Sequence, residues 1–140
     1  MIKSVFLDAD VILDLLAKRE PWFNHSASLF TLIQKGQCQG TTSSIVFANV
    51  FYILRKIKGQ KEARAAIKKL NSLIQLSVTT ETSLTQALNS TFTDFEDALQ
   101  YYTAQNNGVH VLLTRNIKDY KTDKLPVMTP EHYLNSLNAH

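Results

Sequence analysis

Residues 5–7, Val-Phe-Leu, form an apolar run that ends on Asp8, with Asp10 two positions further on. A short run that is apolar at every position is how a strand buried on both faces of a parallel sheet reads. In open α/β sheets the ligand crevice lies outside the carboxyl ends of the strands. An acid directly after such a strand therefore points at the place where chemistry is done. The rest of the chain supplies the alternation that a parallel sheet requires. Candidate short strands at residues 39–41, 76–78, 109–113 and 127–128 are separated by longer stretches with helical spacing.

The helical stretches are bounded by ordinary start and stop signals. Residues 11–17 read as the helix after the first strand, broken at Glu20-Pro21 because proline disfavours helical geometry at the residue before it. Residues 26–35 carry Ala27, Phe30 and Ile33 on one side and stop at Gly36. Ser43 or Ser44 caps a helix through residue 57, and Gly59 ends it. Residues 62–74 place Ala63, Ala66, Ile67, Leu70 and Ile74 for burial. Thr80 or Thr82 starts a short helix through residue 88. Residues 94–106 form another, and Thr129 caps a closing helix that opens on Pro130. The fold class expected is α/β, a short central parallel sheet flanked by helices, as one domain over residues 1–140.

Composition excludes several classes. Apolar residues make up 44% and charged residues 19%, which suits a globular core. A single cysteine, Cys38, rules out an internal disulfide framework and fits a reducing compartment. The opening Met1-Ile2-Lys3 with an acid at position 8 is not a signal peptide, and no apolar run approaches the ~18 residues of a membrane span. A cytoplasmic location is expected. The net charge of +3 permits nucleic-acid contact without arguing for it.

A second acidic cluster lies far from the first, at Asp94-Phe95-Glu96-Asp97. Clustered carboxylates repel unless a cation or protons compensate, and hard cations such as Mg²⁺ take oxygen ligands. A divalent-cation site built from Asp8 and the 94–97 cluster is the first hypothesis. Each acid also has a structural role open to it. Thr93 or Asp94 can cap the helix, with Glu96 and Asp97 complementing its dipole. Asp10 is better placed by position than Asp8 to cap the first helix, and Asp14, one turn on, is expected to face solvent. Thr114-Arg115-Asn116-Ile117-Lys118-Asp119-Tyr120 follows an apolar strand and so occupies another carboxyl-end loop. Thr114, Asn116 and Asp119 offer oxygens there, and Arg115 or Lys118 suits a phosphate. Asn49 is polar within an apolar helix, so it either bonds the backbone or faces the acidic site. His25, His110, His132 and His140 show no ligand spacing, and no glycine-rich phosphate loop is present.

Taken together these segments resemble the PIN domain, the fold of VapC-type toxin ribonucleases, over nearly the whole length. Phe6 to Asp14 resembles the family's opening strand, acid and helix. Thr42 to Val50 resembles the helix that usually carries the second acid, Asp94 to Gln100 the third acidic motif, and Leu113 to Tyr120 the fourth. Pro126 to Glu131 resembles the closing strand and helix. The resemblance implies a three-layer sandwich and a ribonuclease dependent on Mg²⁺ or Mn²⁺. It implies cation ligands at Asp8, Asp94 and Asp97, and catalytic places for Asp8, Asp97 and Asn116. Asp10, Asn49, Thr114 and Asp119 stand as supporting residues, and Arg115 and Lys118 as RNA contacts. It further implies an antitoxin partner and a homodimer.

Two positions depart from the family pattern. Asn49 stands where many members have Glu, and Asn116 where many have Asp. Asparagine offers an oxygen without charge, so weaker cation affinity is implied, and a PIN-like domain that binds RNA or protein without cutting is the alternative. A more distant rival is a haloacid-dehalogenase-like phosphatase, whose opening Asp8-x-Asp10 resembles.

Overall fold

The computed structural model describes residues 2–120 and 124–138. Five strands, β1 (Ser4–Leu7), β2 (Gln39–Thr42), β3 (Gln75–Leu76), β4 (Val111–Leu113) and β5 (Val127–Met128), form one sheet in the order β3-β2-β1-β4-β5, every pairing parallel. The helices are α1 (Ala9–Leu16), α2 (Phe23–Gln34), α3 (Ser44–Lys58), α4 (Gln60–Leu73), α5 (Glu81–Leu88), α6 (Phe95–Asn106) and α7 (Pro130–Asn138), with a 3-10 turn at Ile117–Asp119. From β1 the chain moves outward to β2 and β3, then returns past β1 to β4 and β5. The direction reverses between β1 and β4, and such a reversal opens a crevice at the carboxyl ends of the two strands.

Side chains alternate across a strand, and this sorts the core into layers. Val5, Leu7, Val111 and Leu113 pack with α1, α2, α3, α4 and Tyr133 of α7 on one face. Phe6 and Leu112 pack on the other with Tyr101 and Ala104 of α6, and α5 adds Ala87 against Ala98 and Leu99. The result is the helix–sheet–helix sandwich expected. Because β1 and β4 are covered on both faces, they carry no polar alternation, which explains the unbroken apolar runs.

Element ends follow local chemistry. Ser43 caps α3 by accepting from the Val46 N–H at 3.2 Å, and Thr80 and Ser83 cap α5 reciprocally. The Thr129 hydroxyl accepts from the His132 N–H at 3.1 Å at the start of α7. Several boundaries differ from the periodicity, among them the starts of α2, at Phe23 rather than residue 26, and of α4, at Gln60 rather than residue 62. Helix α1 starts at Ala9 rather than residue 11 because Asp8, not Asp10, is its cap, accepting the Ala9 N–H at 2.8 Å. Strand β3 is Gln75–Leu76 rather than residues 76–78, since its pairing with β2 matches Thr42 to Leu76. Strand β4 begins at Val111, because Val109 is drawn back to the end of α6 by its N–H bond to Ala104. No helix among the described residues is long and apolar enough to cross a membrane.

Gly40, opposite Val5 in the sheet, sits beneath α2 and α4. A Cβ there would lie 2.8 Å from Ile33 Cδ1 and 2.8 Å from Ile74 Cγ2. Gly40→Val should therefore cost about 1–3 kcal/mol of stability by overpacking, read as a lowered midpoint in urea denaturation.

Candidate active site

The β1–β4 pairing sets Asp8 beside Thr114 at one edge of the sheet. Asp8 leaves β1 and is 9% exposed, its backbone N–H bonded to Leu113 O at 3.0 Å. Thr114, the residue after β4, donates its hydroxyl to Asp8 Oδ2 at 2.9 Å and lies 3.3 Å from Asp10 Oδ2. Asp10 Oδ2 also accepts the Arg115 N–H at 3.1 Å and lies 3.4 Å from Asn116 Nδ2. Its other oxygen, Oδ1, is buried and has no hydrogen-bond donor.

Asp97 enters from the first turn of α6, where Asp94 is the cap, accepting the Asp97 N–H at 2.9 Å. The Tyr120 hydroxyl lies between the two ends of the cluster, 3.2 Å from Asp8 Oδ2 and 3.4 Å from Asp97 Oδ1. A phenol carries one proton, so it donates to one acid at a time. Burial, then the charges of Asp8 and Asp97, push the Tyr120 phenol far above its ordinary range, so it remains a donor. Its ring is held edge-on against Phe92, with centroids 6.0 Å apart. Asp94, Asp97, Lys118 and Asp119 line one cleft of about 240 Å³ beside this cluster.

The electrostatics are those of crowded carboxylates. Burial and then the Asp8 charge raise Asp10 to about 6, against the opposing pull of the Arg115 N–H and guanidinium. Burial raises Asp97 to about 7, with Asp94, Asp8 and Asp119 adding to it and the Tyr120 hydroxyl opposing. The donor set is carboxylate oxygen throughout, one oxygen of it buried without a donor, which fits a hard divalent cation. Among the described residues no three Asp, Glu, His or Cys side chains close into a finished cage. The acids are instead linked through the Thr114 and Tyr120 hydroxyls.

Two sequence expectations change here. Asp14 does not face solvent: its side chain is 0% exposed and holds Arg115 by two bonds, Nε–Oδ2 at 2.7 Å and Nη2–Oδ1 at 3.2 Å. Burial lifts the Asp14 carboxyl above its usual range, and Arg115 pulls it back. The guanidinium of Arg115 is thus occupied by a carboxylate rather than presented to phosphate. It also lies over Trp22, 3.8 Å from the ring centroid. Asn49, for its part, donates to the Glu96 carboxylate rather than to the backbone. Sequence reasoning assigned no role to the Tyr120 or Trp22 side chains, and to Glu96 only that of complementing the helix dipole. The Asp14 pairing had a signal, since Asp14 follows Asp10 by four residues and so shares its helix face.

Asp14→Ala should leave Arg115 largely buried without its counter-charge and cost about 3 kcal/mol, checked by denaturant unfolding. A second expectation concerns pH. Asp10, Asp14 and Asp97 all have native pKa values above the 3.8 of a free side chain. The folded state therefore binds more protons than the unfolded one between about pH 4 and 7, and stability falls as pH rises through that window. In chelator, the thermal midpoint should be higher at pH 5 than at pH 8, and Asp97→Asn should flatten the slope. A midpoint that rises with pH would contradict it.

Comparison with known proteins adds three findings. A family model described as the PIN domain matches residues 4–118. Ribonuclease VapC1 of Aquifex aeolicus (strain VF5) is 26% identical over 142 residues, covering 98% of this chain and 97% of the relative. Among solved structures, DNA-bound VapBC from Salmonella typhimurium superposes with a TM-score of 0.69 at 17% identity, over 93% of this chain and 99% of that one. A toxin–antitoxin complex from Klebsiella pneumoniae gives 0.68 at 21% identity, over 90% and 97%. At these identities the superpositions speak to fold. The family match spans β1, the capping Asp8, the 94–97 acids and the loop after β4, and the chain belongs to the PIN domain family.

Proposed function

We propose that this chain is an endoribonuclease that uses Mg²⁺ or Mn²⁺ and serves as the toxin of a toxin–antitoxin pair. The observation that carries the reading is the meeting of Asp8 and Asp97 at the reversal point of the sheet, linked through Tyr120. Similarity to a ribonuclease over almost the full length of both chains supports it. Solved neighbours that are toxin–antitoxin complexes support an antitoxin partner. The proposal takes residues 1–140 as one domain acting in the cytoplasm, consistent with one buried, unpaired cysteine. It includes a homodimer, for which Leu84, Leu88 and Phe95 leave exposed apolar surface on α5 and α6.

Asp8 and Asp97 are the proposed cation ligands, with Asp94 beside them. A divalent cation supplies Lewis acidity toward the scissile phosphate and eases deprotonation of the attacking water. Thr114 and Asn116 hold Asp8 and Asp10 in place, and Asn116 is the proposed fourth-motif residue of the reaction centre. Lys118, lining the same cleft as Asp97 and Asp119, is the proposed contact for an RNA phosphate. Arg115, paired with Asp14, contributes by fixing the loop. The phosphatase reading has only the local Asp8-x-Asp10 likeness behind it, whereas the family match runs from residue 4 to residue 118.

The test is RNA cleavage with Mn²⁺, together with calorimetric titration of Mn²⁺. Asp8→Asn and Asp97→Asn should each lower cleavage by at least about a hundredfold and weaken Mn²⁺ binding while the protein stays folded. Unchanged cleavage in the double variant would remove these two acids from the reaction. Asn49 and Asn116 favour one other reading, an RNA-binding domain without turnover, and binding of RNA with no cleavage at any cation concentration would establish it.

A further inference from the structure

On the far side of Arg115 from the acids lies a second cavity, of about 160 Å³, between the start of α2, the start of α7 and the Arg115 side chain. Its walls include Trp22, His25, Ser26, Arg115, Thr129 and Glu131. Four properties define what fits it. One wall is a stacked pair, the Arg115 guanidinium 3.8 Å from the centroid of Trp22, and the two bonds from Asp14 hold that guanidinium in plane. Trp22 is nevertheless 40% exposed, so it is a platform open to a further ring.

The one guanidinium of the walls, Arg115, is already paired with Asp14, and Glu131 stands 3.6 Å from the His25 ring. A cavity with no spare cation of this kind does not select an anion. It offers donors and acceptors together, which suits a neutral planar ring with both on its edge. Ser26 belongs to the wall, but its hydroxyl is buried beneath the cavity surface without a hydrogen-bond partner. At ~30 Å³ of liquid per water, the space equals roughly five waters, enough for one base and too little for a folded segment.

Position supplies the last step. The Arg115 N–H holds Asp10 and the Thr114 hydroxyl holds Asp8, so this cavity and the acidic cluster lie on two sides of the same short loop. Single-stranded RNA is read by stacking of splayed bases on aromatic rings and arginine planes. We propose that the Trp22–Arg115 cavity is a nucleobase subsite, which takes the base of a nucleotide flanking the cleaved one against the Trp22–Arg115 pair. This rests on the RNA reading of the chain and assigns it a point of base selection.

Trp22 is the only tryptophan in the chain, so its emission, excited at 295 nm, reports on this cavity alone. The experiment titrates the full chain, in chelator and without added cation, with AMP, GMP, CMP and UMP, and with ribose 5-phosphate as a base-free control. Saturable quenching by at least one nucleotide and none by ribose 5-phosphate is expected. Absence of saturable quenching by all four nucleotides overturns the subsite. An equal response to ribose 5-phosphate also overturns it and marks an anion site instead. Neither cation nor cleavage enters the readout, so failure here leaves the nuclease reading standing, and loss of that reading through Asp8→Asn is seen in a separate assay.

Discussion

Everything in this molecule depends on the parallel pairing of β1 with β4. It aligns Leu7 with Leu113, so that the residues immediately after them, Asp8 and Thr114, emerge side by side at the same edge of the sheet. The Asp8 N–H continues the ladder by bonding Leu113 O, which fixes the acid's backbone before its side chain makes any contact. The direction reversal at this pair keeps helices from covering the edge. α6 then arrives from the opposite layer with Asp97 in its first turn, where a helix already favours negative charge. An acidic cluster assembled this way is held in place because its acids are built on strand and helix ends rather than on loops.

The same crowding sets the electrostatic character of the site. Asp8, Asp10 and Asp97 are brought together with Asp94 and Asp119 nearby, and the raised proton affinities of Asp10 and Asp97 are the measure of their mutual repulsion and burial. Without a cation the cluster relies on hydroxyl donors, Thr114 toward Asp8 and Asp10 and Tyr120 toward Asp8 and Asp97. Both donors come from the loop after β4. That loop also carries Arg115, whose side chain turns away from the acids to the fully buried Asp14. One segment thus supplies the groups that hold the acids apart and the cation that ties it down to α1.

The elements legible in the sequence were those with one dominant cause. Continuous apolar runs revealed β1 and β4 because burial on both faces leaves no alternation, and Ser43 and Pro130 marked helix starts because their local chemistry permits little else. The acids at 8 and 97 stood out by their place relative to those elements. What stayed hidden depended on partners far along the chain. Asp14 reads as a solvent-facing helical acid until Arg115 is folded against it, and Asp10 looks the better cap until the carboxylate of Asp8 is seen turning back to Ala9. Tyr120 belongs to the fourth motif by position, yet only tertiary structure places its hydroxyl between two carboxylates.

The two asparagines take on a physical meaning once their neighbours are known. Asn49 has no charge, but it donates to Glu96, so a carboxylate from α6 stands against the position of α3 where family members often carry one. Asn116 has no charge either, but its amide lies 3.4 Å from Asp10 Oδ2 and its backbone N–H bonds the Thr114 hydroxyl. In each case an amide on one element faces an acid on another. The charge of the cluster is thereby redistributed toward Asp10 and Glu96 rather than simply reduced. An amide is also a donor, which an ionised carboxylate is not, so at each position a donor rather than a further charge faces the neighbouring acid. On this argument the departures at 49 and 116 lower the cost of keeping the site folded without a cation, and they leave the proposed ligands Asp8 and Asp97 with hydroxyl rather than amide side-chain donors.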